Sequence, residues 1–171
     1  VEEAPLLAIL GRQAFTETFG HHYAPEDLAA HLAKDYDPMI LASSLVSADE
    51  HWRLAEWQGQ PAGFVKWGAC HLPLPALTQR QMELHRLYVL QAFQGKAIGR
   101  ALMEAALTHM QEAGAAEICL GVWENNHKAQ AFYASYGFEK AGEYDYPVGR
   151  QIDREWILRK ILAAKTLEAV A

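Results

Sequence analysis

Apolar residues first recur with a helical period. Leu6, Leu7, Leu10, Ala14 and Phe15 share one face of residues 4 to 19, which predicts an amphipathic helix. Pro25 opens a second helix, with Leu28, Ala29 and Leu32 on one side. Pro38 opens a third, short one, with Met39, Ile40 and Leu45 apolar and Asp37 placed to cap it. The period then changes. Residues 51 to 57 (HWRLAEW) and 62 to 70 (AGFVKWGAC) are short and rich in aromatics, and Gln58-Gly59-Gln60 between them is a turn signal, so the pair reads as a hairpin. Pro73 and Pro75 make residues 71 to 80 a loop. Alternation over residues 81 to 90 predicts a strand, with Met82, Leu84, Arg86 and Tyr88 on one face and Glu83, His85, Leu87 and Val89 on the other.

From Ile98 the helical period returns through Ala101, Leu102, Ala105, Ala106 and Met110, and Gly114 is a natural stop. Residues 117 to 123 (EICLGVW) read as a buried strand, and residues 127 to 136 as a helix ended by Gly137. Two last strands cover residues 138 to 146 and 151 to 160, and the tail from Ile161 reads as helical or frayed. Helices thus interrupt a largely meandering sheet. The class is mixed α/β (α+β) rather than doubly wound, in a single domain over residues 1 to 171, since no repeat or linker divides the chain.

Composition narrows the function classes. Of the 171 residues 51% are apolar, enough for a self-sufficient core. No apolar run approaches the ~18 residues of a membrane span. Cys70 and Cys119 cannot make a disulfide scaffold and read as small buried residues of a reducing compartment. Fifteen basic against 21 acidic residues leave a net charge of -6, which argues against a nucleic-acid partner and tolerates, without requiring, a cationic small molecule. The chain begins at Val1 with no basic-then-apolar leader layout, so the expected location is cytoplasmic. A homodimer is the prior for an enzyme of this size.

The chemistry concentrates in Val89 to Leu102 (VLQAFQGKAIGRAL), where a strand ends, a glycine-containing turn follows and a helix begins. A helix N-terminus offers unpaired N–H groups and partial positive charge, and glycine lets a phosphate approach the backbone. Gly95 and Gly99 suit that purpose, with Lys96 and Arg100 adding charge. An ordinary strand-to-helix turn would look similar. The dinucleotide pattern G-x-G-x-x-G is absent, and so is the P-loop, because Lys96 is not followed by Ser or Thr.

A second segment, Trp123 to Phe138 (WENNHKAQAFYASYGF), sharpens the reading. Together the two segments resemble the GNAT superfamily of acetyl-CoA-dependent N-acetyltransferases. Gln94-Gly95-Lys96-Ala97-Ile98-Gly99 is similar to its Q/R-x-x-G-x-G/A pyrophosphate motif. Asn126, Ala129, Tyr133, Gly137 and Phe138 are similar to its N-x-x-A-x-x-x-Y-x-x-x-G-F motif. Ala97 departs from the pattern, which usually has glycine there. The family's first strand is expected before Val1. Phe15-Thr16-Glu17-Thr18-Phe19, Arg86-Leu87-Tyr88-Val89, Gly121-Val122-Trp123-Glu124 and Gly149-Arg150-Gln151-Ile152-Asp153 further resemble the PaiA-like spermidine/spermine branch.

The resemblance implies an enzyme moving an acetyl group from acetyl-CoA to a primary amine, without a metal. It implies that the strand ending at Val89 holds the pantetheine arm through its backbone, at Leu87 and Val89, with the Val89 N–H facing the thioester oxygen. Asn126 would reach the cofactor, although its position equally suits a helix N-cap. Alkyl ammonium groups titrate near ~10.4, so a base is needed at neutral pH. Glu83, six residues before Val89 and taken to share its face, is the favoured base. His85 is the rival, because an imidazole exchanges protons readily near neutrality. Tyr133 falls at the family's general-acid position, although an aromatic stripe with Phe132 and Tyr136 would also simply pack. Glu26, Asp27, Glu83, Glu124, Tyr36 and Trp123 are available to a cationic acceptor. His21-His22 lacks a third ligand at metal spacing. Acetylation of a protein N-terminus or an aminoglycoside-type amine, and a non-catalytic CoA-binding regulatory domain, are the alternatives.

Overall fold

Capping and turn chemistry set the element boundaries. The Asp37 side chain accepts the Met39 N–H at 2.7 Å and starts the third helix, with Pro38 at its first position. Gln58 and Gly59 both adopt positive φ, +52° and +75°, the two-residue turn that matches the twist of a hairpin. The computed structural model describes residues 2–74 and 80–162. Three helices come first: α1 (Ala4–Phe19), α2 (Pro25–Asp35) and α3 (Pro38–Leu45). The hairpin is β1 (Glu50–Trp57) and β2 (Gln60–Ala69). Strand β3 (Gln81–Val89) leads through a 3-10 turn (Gln91–Phe93) into α4 (Ile98–Glu112). Then come β4 (Glu117–Trp123), α5 (His127–Ser135), β5 (Glu139–Val148) and β6 (Gln151–Ile161). Ile161 therefore ends a strand instead of starting a helical tail, and the tail from residue 163 and loop residues 75–79 lie outside the described residues.

The strands form one sheet in the order β1-β2-β3-β4-β6-β5, antiparallel except for β3 and β4. Pro147 is tolerated because β5 is an edge strand. Alternate residues of β2 feed two cores. Val65 and Trp67 pack with Leu102, Met103, Ala106 and Met110 of α4, while Phe64 packs with Leu7, Leu10, Ala14 and Phe15 of α1 on the opposite face. Fully burying one such side chain is worth about 1.5–3 kcal/mol, so both faces of the sheet are strongly held.

One irregularity sets which way the β3 side chains face. Lys66 pairs with Arg86 but Trp67 pairs with Leu84, so His85 is an extra residue in β3. Such a bulge bends its strand and reverses the alternation beyond it. The strict alternation read from the sequence is corrected accordingly. Leu84, Leu87 and Val89 pack on the α4 side, whereas Arg86 and Tyr88 turn to the α1 side. Glu83 and Val89 consequently lie on opposite faces. Pairing between β3 and β4 ends at Glu83 with Cys119, although β3 continues to Val89 and β4 to Trp123. Beyond that point the facing edge of β3 has no strand partner among the described residues.

Candidate functional site

The gap where β3 leaves β4 opens a cavity of about 840 Å³. Leu87 and Val89 line it from β3, and Gly121 and Trp123 from β4. Gln94, Gly95, Ala97, Gly99 and Arg100 contribute from the turn and the start of α4, with Asn126 and Tyr133 from α5. Glu83 and His85 line the same cavity. The fold therefore brings together every catalytic and cofactor-binding candidate from the sequence except Lys96. That side chain is not in the wall; its Nζ sits over the Trp57 ring at 5.2 Å.

The turn is built by backbone conformation. Gly95 has φ +77°, and a Cβ there would meet nothing within 4 Å, so glycine answers a conformational need and leaves open space. Ala97 caps the start of α4 in the left-handed region, at φ 59° and ψ 10°. Where the motif usually has glycine, an alanine bears the strain of this left-handed backbone as well as adding a methyl group at the helix start. A Cβ on Gly99 would touch Val89 Cγ2 at 3.6 Å, ordinary contact, so α4 starts directly against the end of β3. Gln94 locks the corner. Its Nε2 donates to the Val89 carbonyl at 3.2 Å and its Oε1 accepts from Lys128 Nζ at 2.6 Å. Lys128, which the sequence reading passed over, is thereby the cation fixed beside the turn, while Arg100 pairs with Glu104 at the exposed rim. Asn126 does cap α5, accepting the Ala129 N–H at 3.1 Å, and still faces the cavity.

Tyr133 is buried, and burial, with the charge of Glu155, holds its phenol well above the ordinary value, so it is a proton donor at neutral pH. Glu83 is 9% exposed. Burial alone would raise its pKa, but the hydrogen bond and charge of His85 and the His71 backbone N–H outweigh that, and the net shift is downward. The His71 N–H donates to Oε2 at 2.8 Å, and Oε1 lies 3.2 Å from His85 Nδ1. The other imidazole nitrogen, Nε2, is buried with no hydrogen-bond partner among the described residues. His71, Glu83 and His85 present ligand atoms within 4.8 Å of one another, the one such set among the described residues. Both carboxylate oxygens of that set are already engaged by protein groups. His22 is bound to Asp153 (3.2 Å) and Gln151 (2.6 Å) and belongs to no such set.

The remaining wall is aromatic and acidic. Phe15, Phe19, Tyr23, Tyr36, Tyr144 and Tyr146 contribute rings. The two cations there are neutralised, Lys66 by Glu50 at 2.6 Å and Arg86 by Asp35 at 2.8 Å. Glu26 and Asp27, considered above for a cationic acceptor, lie outside the wall and pair with Arg150 (3.9 and 3.3 Å); Glu124 also lies outside it. Glu155 of β6 does line the cavity, and sequence reasoning missed it. A signal existed: Asp153 and Glu155 are alternate residues of an interior strand, so two carboxylates share one buried face.

The acetyltransferase (GNAT) family model matches residues 12–138. An uncharacterized N-acetyltransferase from the pepI 3′ region of Lactobacillus delbrueckii subsp. lactis is 27% identical over 161 residues, 94% of this chain and 93% of that one. The spermine/spermidine N(1)-acetyltransferase of Bacillus subtilis is 28% identical over 91 residues, 53% of this chain and 60% of that one. The crystal structure of PaiA N-acetyltransferase from Thermoplasma acidophilum in complex with coenzyme A superimposes with a TM-score of 0.74 at 21% identity, covering 94% of each chain.

Proposed function

The chain belongs to the acetyltransferase (GNAT) family and is an acetyl-CoA-dependent N-acetyltransferase, and on that premise we propose that its acceptor is the primary amine of a cationic small molecule, a polyamine first of all. The observation that carries this reading is a single cavity along the unpaired edge of β3. It runs past the α4 N-terminal turn, the buried Tyr133 hydroxyl and the Glu83–His85 pair. The acidic, aromatic character of its remaining wall and the likeness to the B. subtilis enzyme support the acceptor class.

Gly95, Ala97 and Gly99 offer backbone to the pyrophosphate at the positive end of α4, with Lys128 and Arg100 alongside. The β3 edge at Leu87 and Val89 pairs with the pantetheine arm, and the Asn126 amide nitrogen reaches it from α5. The Val89 N–H faces the thioester oxygen, where a preorganised donor is worth most. The Glu83–His85 pair takes the ammonium proton. Glu83 holds the imidazole in the Nδ1–H form, which leaves a lone pair on Nε2. The freed amine attacks the thioester carbonyl carbon and a C–N bond forms; the C–S bond breaks as Tyr133 gives its proton to the departing thiolate, and the proton lost from the acylated nitrogen restores the phenol.

The test follows CoA thiol release with acetyl-CoA and a panel of amines, in the wild type and in Tyr133→Phe, Glu83→Gln and His85→Gln. Release that requires an amine and collapses in the variants is expected. CoA binding without amine-dependent release from any acceptor would instead mark a regulatory domain, and unchanged rates in the variants would remove the assigned acid and base.

A further inference from the structure

Glu155 is a carboxyl group of the cavity wall that, among the described residues, has no cationic partner. It sits on interior strand β6, directly opposite Tyr144 of β5 and Trp123 of β4, and its carboxylate accepts the Tyr144 O–H. Among the described residues no Lys, Arg or His forms an ion pair with it. The other acids of this wall are accounted for: Glu50 by Lys66, Asp35 by Arg86, Glu83 by His85 and the His71 N–H. Asp153 is engaged by Tyr23, His22 and Gln151. A half-buried carboxylate without a counter-ion is costly, and one facing a cavity is compensated when a ligand supplies the cation.

The surroundings make room for that ligand. Gly121 of β4 lies diagonally across from Glu155, and a Cβ there would collide with both the Tyr144 hydroxyl and Glu155 Oε2. Glycine at this position leaves the Tyr144–Glu155 pair intact and keeps its carboxylate at the cavity wall. Tyr144, Tyr146 and Trp123 supply ring faces beside it, which favour ammonium groups.

We propose that Glu155, held by Tyr144 and uncovered by Gly121, anchors a second ammonium group of the acceptor, so that the preferred substrate is a linear diamine or polyamine whose reacting nitrogen lies at the Glu83–His85 pair. This rests on the acetyl-transfer reading above and names the specificity residue within that site. Glu155 acts on binding and orientation and exchanges no proton with the substrate itself, although its charge helps keep the Tyr133 phenol protonated.

Two measurements test it, one of them independent of turnover. The first compares kcat/KM for 1,4-diaminobutane with that for 1-aminobutane, and repeats the ratio with diamines of increasing chain length. The wild type is expected to favour a diamine, and Glu155→Gln to shrink that preference by about tenfold or more, mainly through KM. Glu155→Asp, which keeps the charge, is expected to recover part of it. The second titrates spermidine into the protein calorimetrically, with Glu155→Gln and Gly121→Ala both weakening binding. A wild type indifferent to the second amine, or a Glu155→Gln variant that slows monoamine and diamine equally, overturns the proposal. So does spermidine binding that survives the substitution. Should no amine be acetylated at all, the acetyl-transfer reading fails, while the calorimetric arm still decides whether Glu155 binds a polyamine cation.

Discussion

The two halves of the cavity are built by opposite means. The cofactor half comes from one contiguous run, Val89 to Arg100, plus the start of α5, and it works through backbone: a glycine turn, a helix end, an unpaired strand edge. The acceptor half draws single side chains from α1, α2, β1, β2, β3, β5 and β6, and it works through carboxylates and rings. Their fields differ in sign accordingly, since a helix N-terminus with Lys128 attracts a polyanion and Glu83 with Glu155 attracts a cation. The net charge of -6 is therefore no obstacle to a polyanionic cofactor, because attraction to it is local.

The hardest test of this division is at Tyr133, which stands in the wall shared by both halves. Tyr133→Phe keeps the ring and removes the proton. We expect kcat to fall by about 100-fold or more while CoA binding, read by calorimetry, is unchanged. A matched loss of CoA affinity would instead assign the residue to the cofactor half. A smaller effect confined to the cofactor half is expected for Gly95→Val. A β-branched residue resists the left-handed backbone, at a cost of about 1–2 kcal/mol. Nothing blocks the side chain sterically, so the turn relaxes and KM for acetyl-CoA rises about tenfold, with amine KM little altered. An equal rise in amine KM would break the separation of the halves.

This contrast also explains what could be read from the chain. The cofactor half was legible because local spacing encodes it: Gln94, Gly95, Gly99, Asn126 and Tyr133 all reach the cavity wall. Lys96, given a place in the turn by its spacing alone, stands outside the cavity wall with its ammonium over Trp57. The bulge at His85 leaves no mark in residue type, and missing it placed Glu83 and Val89 on one face. Glu155 was missed as a site residue although its alternation with Asp153 marks a shared acidic face, because its partners come from two other strands, Gly121 and Trp123 from β4 and Tyr144 from β5.

The acceptor half contains its own comparison, between two carboxylates pushed in opposite directions. Glu83 has its pKa lowered in the fold, so it adds stability above the unfolded glutamate value, and that contribution disappears as pH falls through the folded value. Glu155 is raised, first by burial and then by the charges of Asp153 and Glu83, against the Tyr144 hydrogen bond. Its ionisation therefore costs stability as pH rises from the unfolded value through the folded one. At neutral pH, Glu83→Gln is expected to lower Tm and Glu155→Gln to raise it. Thermal denaturation from pH 4 to 8 reads both signs. Spermidine should reduce the Glu155→Gln advantage, because the ligand compensates the wild-type charge. Shifts of the same sign in the two variants would remove the distinction between an internally satisfied carboxylate and one awaiting a cation.

The smallest effect is expected at Ala97, where the cofactor half departs from glycine. A left-handed alanine costs about 1–2 kcal/mol, and Ala97→Gly returns most of that. The gain is offset by the freedom glycine adds to the unfolded chain, about 0.4–1 kcal/mol. The net runs from near zero to a stabilisation of about 1.5 kcal/mol, a rise of a few °C in Tm, about 6 at most, for a chain of this length. Removing the methyl group also clears the approach to the α4 N-terminus, so KM for acetyl-CoA should fall modestly while the diamine preference stays fixed. A variant that melts higher but binds acetyl-CoA no better would show that Ala97 costs the fold and leaves the phosphate path clear. One that shifts the diamine preference would show that the two halves are mechanically joined through the start of α4.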